Sequence, residues 1–341
     1  MSKLNLKFFS LLFATILAIS TLNAAPKGKV SGGSMHEAPE WFKDSFLDIS
    51  EDIDEAKEEG KHIMLFLDLQ GCPYCTKMLK ESFHADNDTS KFIQKHFDVI
   101  NIDVKGSKEI TWSEEETFTE KDLAVKLKVQ YSPTVLFLDY DKNVVVRLNG
   151  YRSAKNFKNV LEYVNGKHYK NMKLSKYLEK KKDNTIYTLK KNKLFKEITN
   201  LSKVNTPLAV IFEDGSCTQC GYFHNTTLKN KDVQGELTKY TVVRLDATSD
   251  SKIITPEGKT TTPKAWANEL NLEYRPGILL FNEGKLQQTV DALLYSFHFK
   301  ELLRYISGKY YKEYSGYLPY LRVRQEDLKA QGINIDISDK Y

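Results

Sequence analysis

Cysteine is scarce in this chain: four among 341 residues. A disulfide-stapled scaffold is thereby excluded, because such folds need cross-links at far higher density. With nine prolines and three tryptophans, neither a polyproline rod nor a collagen-like repeat is available. Charge of one sign is not in large excess. Fifty Lys and Arg stand against 45 Asp and Glu, and the surplus forms no basic stripe. Nucleic acid therefore finds no electrostatic footprint. Beyond residue 22 no apolar run reaches the roughly 20 residues of a membrane span. With 41% hydrophobic and 28% charged residues, the composition is that of a globular protein, and the length suits about two domains.

The one long apolar stretch stands at the start. Lys3 and Lys7 precede an apolar run over residues 8–22, and Ala24 and Ala25 follow it. A positive start, an apolar middle and small residues at the end read as a secretory signal cleaved near Ala24. Residues 1–24 are therefore read as signal peptide, and the mature chain as exported with no stable membrane span. In an oxidising compartment disulfides persist, so paired cysteines point to redox chemistry before zinc. Residues 25–40, rich in Gly, Ser and Pro, read as a flexible linker, with order expected from Trp41.

The body is duplicated with a period of about 143 residues, too long for a solenoid unit, so two whole domains are expected. I-M-L-F-L-D-L-Q-G-C-P-Y-C from Ile63 matches L-A-V-I-F-E-D-G-S-C-T-Q-C from Leu208. V-I-N-I-D from Val99 matches V-V-R-L-D from Val242, and S-P-T-V-L-F-L-D from Ser132 matches R-P-G-I-L-L-F-N from Arg275. The domains are placed at 41–181 and 182–324, joined by the Lys-rich stretch 180–184, with 325–341 a polar, loosely attached tail. Within each repeat, short apolar runs read as strands and capped or Pro-started segments as helices, at Thr119 and at Thr262-Pro263. The order β-α-β-α-β-β-α implies an α/β fold with a mixed central sheet flanked by helices.

Each repeat carries C-x-x-C where a buried strand is expected to meet a helix: Cys72 and Cys75, then Cys217 and Cys220. A helix N-terminus carries about half a positive charge and free amides, which favour a thiolate on the first cysteine. Helices are thus expected to start at Cys72 and Cys217, with these two as exposed nucleophiles and Cys75 and Cys220 resolving. Exchange then runs through a mixed disulfide with a partner. The spacing alone also suits zinc or a static staple. Pro133 and Pro276 each directly precede a strand, and an X-Pro bond there suits a cis peptide that leaves a backbone edge for an extended partner segment.

With these motifs in view, the chain resembles the thioredoxin superfamily, and more closely the periplasmic SoxW-type thioredoxins. Residues 39–75, the long segment 103–123, S-P-T at Ser132 and R-L-N-G-Y at Arg147 carry that resemblance. It implies two tandem thioredoxin-like domains in a periplasmic thiol–disulfide oxidoreductase that exchanges with protein thiols or disulfides, or sulfur compounds, and is served by an upstream electron donor. It implies neither cofactor nor metal. Tyr74, Ser132, Pro133, Arg275 and Pro276 are the expected partner-binding residues. The second repeat departs from the pattern: C-T-Q-C lacks the Pro-Tyr pair, and Arg275 stands where a small hydroxyl residue is usual. That cation can favour the thiolate or block the edge.

Other residues leave alternatives open. Asp68 and Glu213, each four residues before the first cysteine, can accept a proton during exchange, though acids at a strand end in water are the simpler expectation. His224 completes C-x-x-C-x-x-x-H, a spacing open to copper(I), though a helix-surface histidine is simpler. Segment 103–119 is long enough for a lid or docking surface near the cysteines. The rival reading is a non-enzymatic binding module, a copper or protein chaperone whose cysteines hold metal or a fixed disulfide.

Overall fold

A computed structural model describes residues 26–340. The proposed signal peptide lies outside the described residues. No helix among the described residues is long and apolar enough to cross a membrane.

The short strand β1 (Val30–Ser31) comes first. Asp48 then caps α1 (Ile49–Glu58) by accepting from the amides of Ser50 and Glu51. Next is β2 (His62–Asp68), buried at every position. A strand apolar at successive positions needs cover on both faces. Met64 and Phe66 enter one core while Ile63, Leu65 and Leu67 enter the other. There follow α2 (Pro73–Met78), extended by a π turn over Leu79–Phe83, then α3 (Asp88–His96) and β3 (Phe97–Asp103). The hairpin β4 (Glu109–Ser113) and β5 (Glu116–Thr119) leads to α4 (Glu120–Lys126), β6 (Thr134–Leu138), β7 (Val144–Asn149) and α5 (Ala154–Asn165). The sheet runs β3-β2-β6-β7, with β2 parallel to β3 and the other neighbours antiparallel.

After α6 (Leu174–Lys181) the plan repeats. β8 (Leu208–Glu213), α7 (Cys220–Asn225), α8 (Lys231–Leu237) and β9 (Thr241–Asp246) come first. The small pair β10 (Ile253–Ile254) and β11 (Thr260–Thr261), α9 (Pro263–Glu269), β12 (Gly277–Asn282), β13 (Lys285–Val290) and α10 (Ser296–Ser307) complete it. Its sheet runs β9-β8-β12-β13. The caps read from the sequence are present: Thr119 accepts from the Asp122 amide, and Thr262 from the Ala265 amide with Pro263 opening α9. Two mixed sheets flanked by helices are the expected α/β architecture, made twice. Beyond them lie α11 (Tyr317–Ala330) and β14 (Ile335–Asp336).

Three expectations need correction. The stretch 25–40 is not a linker where it is described, because β1 pairs in parallel with β14, Val30 against Ile335 and Ser31 against Asp336. The tail is not loose: Leu328 and Ile335 are buried in the second core, and that apolar anchoring outweighs its polar composition. Segment 103–119 is not a lid on the cysteines. Its hairpin buries Ile110 in the core on the far face of the first sheet, and the Thr111 amide bonds to the Leu47 carbonyl.

Candidate active site

In the first domain the chain leaves β2 through Gly71, at φ +78°, a conformation that favours glycine. Cys72 then takes extended dihedrals as the cap of α2, and Pro73 fills the first helical position. Proline is suited there because its fixed φ is helical and its missing N–H would be unpaired anyway. The Cys75 amide points at Cys72 Sγ, 3.1 Å away. Cys72 and Cys75 are joined by a disulfide. The Ser132–Pro133 bond is cis, and the Ser132 carbonyl oxygen lies 3.4 Å from Cys72 Sγ. Four of the expected site residues are thus brought to one point.

The second domain has the same parts in a different arrangement. Cys217 and Cys220 form a disulfide and Arg275–Pro276 is cis. However, α7 begins at Cys220, after a Gln219 cap that makes no side-chain bond. The helix expected to start at Cys217 starts three residues late. Thr218 and Gln219 replace Pro73 and Tyr74, so no proline sets the first helical φ. The turn ahead of the first cysteine is shared: the Cys217 amide bonds to the Asp214 carbonyl at 3.2 Å, as the Cys72 amide does to the Leu69 carbonyl at 3.1 Å.

Arg275 does not project freely over the cysteines. It is buried, its Nε donates to Asp214 Oδ2 at 2.8 Å, and its guanidinium donates to the carbonyls of Leu272 and Tyr274. A buried guanidinium needs such partners. Lys182, in the joint between the domains, reaches the same carboxylate at 3.3 Å. Burial works to raise the Asp214 carboxyl, but Arg275 and Lys182 outweigh it and hold it below the ordinary range.

Neither expected nucleophile is exposed, a further correction: Cys72 is 6% and Cys217 2% accessible. Domain 2 provides the cover over Cys72, through Tyr274, Leu293 and Tyr295 in one apolar cluster with Cys72 and Tyr74. The Tyr295 ring stacks on Tyr74 with centroids 4.6 Å apart. The Tyr295 amide donates to the Tyr74 hydroxyl at 2.9 Å, and that hydroxyl lies 2.8 Å from His298 Nδ1. The hydroxyl can in turn donate to Nδ1 of a neutral His298 ring. Burial agrees, pushing His298 down to about 4. Around this contact Gln288 donates to the Tyr131 hydroxyl at 2.7 Å and Arg152 pairs with Asp291 at 3.2 Å. Ala292 sits so close to Gly150 that a Cβ there would lie 2.6 Å from its own. The chain from 288 to 298 thus lies along the C-P-Y-C loop, the cis-proline loop and the turn after β7.

A strap formed by residues 28–36 closes the other side. From β1 it crosses the first redox loop, Gly33 passing so near that a Cβ would lie 2.4 Å from the Gly71 carbonyl oxygen. His36 Nε2 lies 2.6 Å from Asp68 Oδ2, and Nδ1 lies 3.2 Å from Thr76 Oγ1. The His36 amide donates to the Gln70 side chain, which donates back to the His36 carbonyl. Asp68 is therefore buried and paired, not an acid in water. The same correction holds in domain 2: Glu213 is fully buried, and His224, expected on the helix surface, is buried with Nε2 2.7 Å from Glu213 Oε1. No cluster of metal-binding side chains occurs among the described residues.

Sequence reading missed His36, Asp214, Tyr295 and His298. The first lies in a stretch whose composition signals a linker, and the others act through contacts between segments far apart in the chain. Their spacing alone carries no trace of that.

Two strand-to-helix turns, each with a disulfide across its C-x-x-C and the first with a cis-proline loop against it, define a protein built for thiol–disulfide chemistry. The chain belongs to the family of the Thioredoxin-like domain, which matches residues 49–165 and again 194–307, more than half of its length. Among solved structures it is similar to a thioredoxin-fold protein from Helicobacter pylori, at 24% identity over 36% of this chain and 84% of that one, with TM-score 0.33. A thioredoxin from Thermus thermophilus is 24% identical over 35% of this chain and 84% of that one, with TM-score 0.28. An alkylhydroperoxide reductase protein from Enterococcus faecalis is 12% identical over 78% of this chain and all of that one, with TM-score 0.27. No curated protein sequence matches the chain.

Proposed function

We propose that this protein is an exported, periplasmic thiol–disulfide oxidoreductase, of the SoxW type, acting on protein thiols or disulfides, or sulfur compounds, through Cys72 and Cys75. An upstream electron donor resets the pair. The observation that carries this reading is Cys72 at the cap of α2, with an amide on its sulfur and the Ser132 carbonyl beside it. In the dithiol form that amide and the helix dipole favour the thiolate.

Cys72 Sγ attacks a partner disulfide, the partner's own S–S bond breaks, and a mixed disulfide forms. Cys75 Sγ then attacks Cys72 Sγ and releases the partner as a thiol, leaving Cys72–Cys75 oxidised. Run backwards, the same steps oxidise a partner. Tyr74, Ser132 and Pro133 shape the docking edge. The stretch 288–298 lies where a partner would dock, so exchange requires the two domains to part there. In domain 2, Cys217 and Cys220 are the slower pair, with Pro276 at the edge and Arg275 fixed beneath it.

Trapping tests this directly. Cys72→Ser abolishes mixed disulfides with a protein substrate, and Cys75→Ser accumulates them. Wild-type rates in both variants, or copper retained by the purified chain in place of activity, would move the protein to the binding-module reading.

A further inference from the structure

The cover over Cys72 is itself a length of chain, and its residues meet particular points of the first redox face. Gly150, whose amide bonds to the Pro133 carbonyl at 2.7 Å, sits beside the cis-proline loop. Ala292 lies so close that a Cβ on Gly150 would come within 2.6 Å of its methyl. Next to Ala292, Asp291 Oδ2 accepts from Arg152 Nη2 at 3.2 Å. At the other end the Tyr295 ring stacks on Tyr74, and its amide donates to the Tyr74 hydroxyl. From Ala292 to Tyr295 the chain reaches at most about 10 Å. Cys72 lies between those ends, against Ser132 on one side and two positions before Tyr74 on the other. Of the two residues in between, Leu293 shares the apolar cluster of Cys72 and Tyr74, while Leu294 packs on the core of domain 2. Leu293 is the side chain turned to the first cysteine.

When the domains part, domain 1 keeps groups that ask for the same contacts again. Arg152 retains the Asn149 and Tyr151 carbonyls, at 2.9 and 3.2 Å, but loses the carboxylate that balances its charge. Glu273, the other acid near it, belongs to domain 2 and departs with Asp291. Asp291 itself keeps a partner, because its second oxygen accepts from the Tyr274 amide at 2.7 Å. Gly150, at φ +76°, stays a glycine surface that a small side chain can approach. Tyr74 loses its stacked ring. A replacement is selected by how many of these places it fills, and penalised for each charged or polar group it leaves unmet.

We propose that residues 291–295 are a built-in stand-in for the partner. The Cys72 site then takes an extended protein segment carrying, in order, a carboxylate, a small residue, the exchanging cysteine, any residue and an aromatic ring. This rests on the thiol–disulfide reading and names its substrate class. Arg152 reads the carboxylate, Gly150 admits the small residue, Tyr74 takes the ring, and the partner cysteine occupies the place of Leu293. The Cys72 thiolate attacks that sulfur; the partner's S–S bond breaks, and its electron pair leaves on the second sulfur. Cys75 Sγ, as thiolate, then displaces the partner cysteine from Cys72. The partner disulfide gains two electrons and the Cys72–Cys75 pair loses them. Two protons pass through solvent from the pair to the released thiols.

Two measurements test this, both in the full chain with Cys217→Ser and Cys220→Ser. With Cys75→Ser and Leu293→Cys added, oxidised glutathione should join position 293 to Cys72 within one chain, seen by mass spectrometry of a digest. Leu294→Cys should not cross-link. In the chain that keeps Cys75, reduced beforehand, the substrates are blocked peptides presented as mixed disulfides with glutathione. Asp-Ala-Cys-Leu-Tyr should be reduced about tenfold faster, as kcat/KM, than Asn-Ala-Cys-Leu-Tyr, the usual worth of a hydrogen bond between charged groups. Arg152→Gln should erase that ratio, whereas a variant that merely loosened the fold would slow both peptides and keep it. No cross-link at 293, a cross-link at 294 in its place, or equal rates for the two peptides overturns the proposal. Exchange without preference removes only this inference; if neither peptide is reduced at all, the thiol–disulfide reading falls as well.

Discussion

The two redox loops share a fold, a spacing and a cis-proline, yet they differ in what surrounds the first cysteine. At Cys72 the helix begins on the cysteine itself, and the cover comes from another domain. At Cys217 the helix begins three residues later, and the loop is braced from below by the buried Asp214–Arg275 pair. A shared motif therefore does not mean shared reactivity. Helical amides act over about one turn, so a three-residue delay removes much of their hold on the sulfur.

Removing the brace should have the largest effect. Asp214→Asn leaves Arg275 and Lys182 without their carboxylate, and breaking a buried ion pair costs about 3–5 kcal/mol. Chemical denaturation should show domain 2 unfolding earlier while the first domain keeps its exchange activity. Equal loss in both domains would mean that the brace does not belong to the second loop alone.

A smaller effect is expected at the first loop. Tyr74→Phe strands the Tyr295 amide and His298 Nδ1, at about 1–3 kcal/mol for each buried group left unpaired. The closed contact weakens, so alkylation of reduced Cys72 should accelerate while Cys217 is unaffected. Unchanged reactivity at Cys72 would show that domain 2 is not its cover.

The smallest effect concerns Glu273, a half-buried acid between Arg152 of one domain and Asp291 of the other. Burial, reinforced by Asp291, raises it to about 7. A folded acid with a raised value binds its proton more tightly than the unfolded chain does. The stability it contributes is therefore complete below about 4.5 and is lost as pH rises through about 7. Glu273→Gln should make the protein less sensitive to pH between those values and raise its melting temperature most at pH 8. An identical pH dependence in the variant would remove Glu273 from the interface account.

Much of this was legible in the sequence. The duplication, the strand order and the helix caps at Thr119 and Thr262 follow from local pattern, because apolar period and capping chemistry act over a few residues. Ser132, Pro133 and the cysteines could be brought together because their order along the chain matches the fold. What could not be read depends on long-range contact. The Gly- and Ser-rich start suggests a linker, yet two residues pair with β14 some 300 positions away and carry His36 to Asp68. Arg275 was placed correctly beside the cis bond, but its direction depended on Asp214, whose role no spacing announces. The burial of Cys72 came from Tyr295, which belongs to the other domain.

The most direct measurement is the ionisation of the two leading thiols, from the pH dependence of alkylation in chains that keep one cysteine pair each. The account predicts that Cys72 ionises well below the free-thiol value of about 8.5 and at lower pH than Cys217. A Cys217 that ionises as readily as Cys72, or a Cys72 no more acidic than free cysteine, would contradict it.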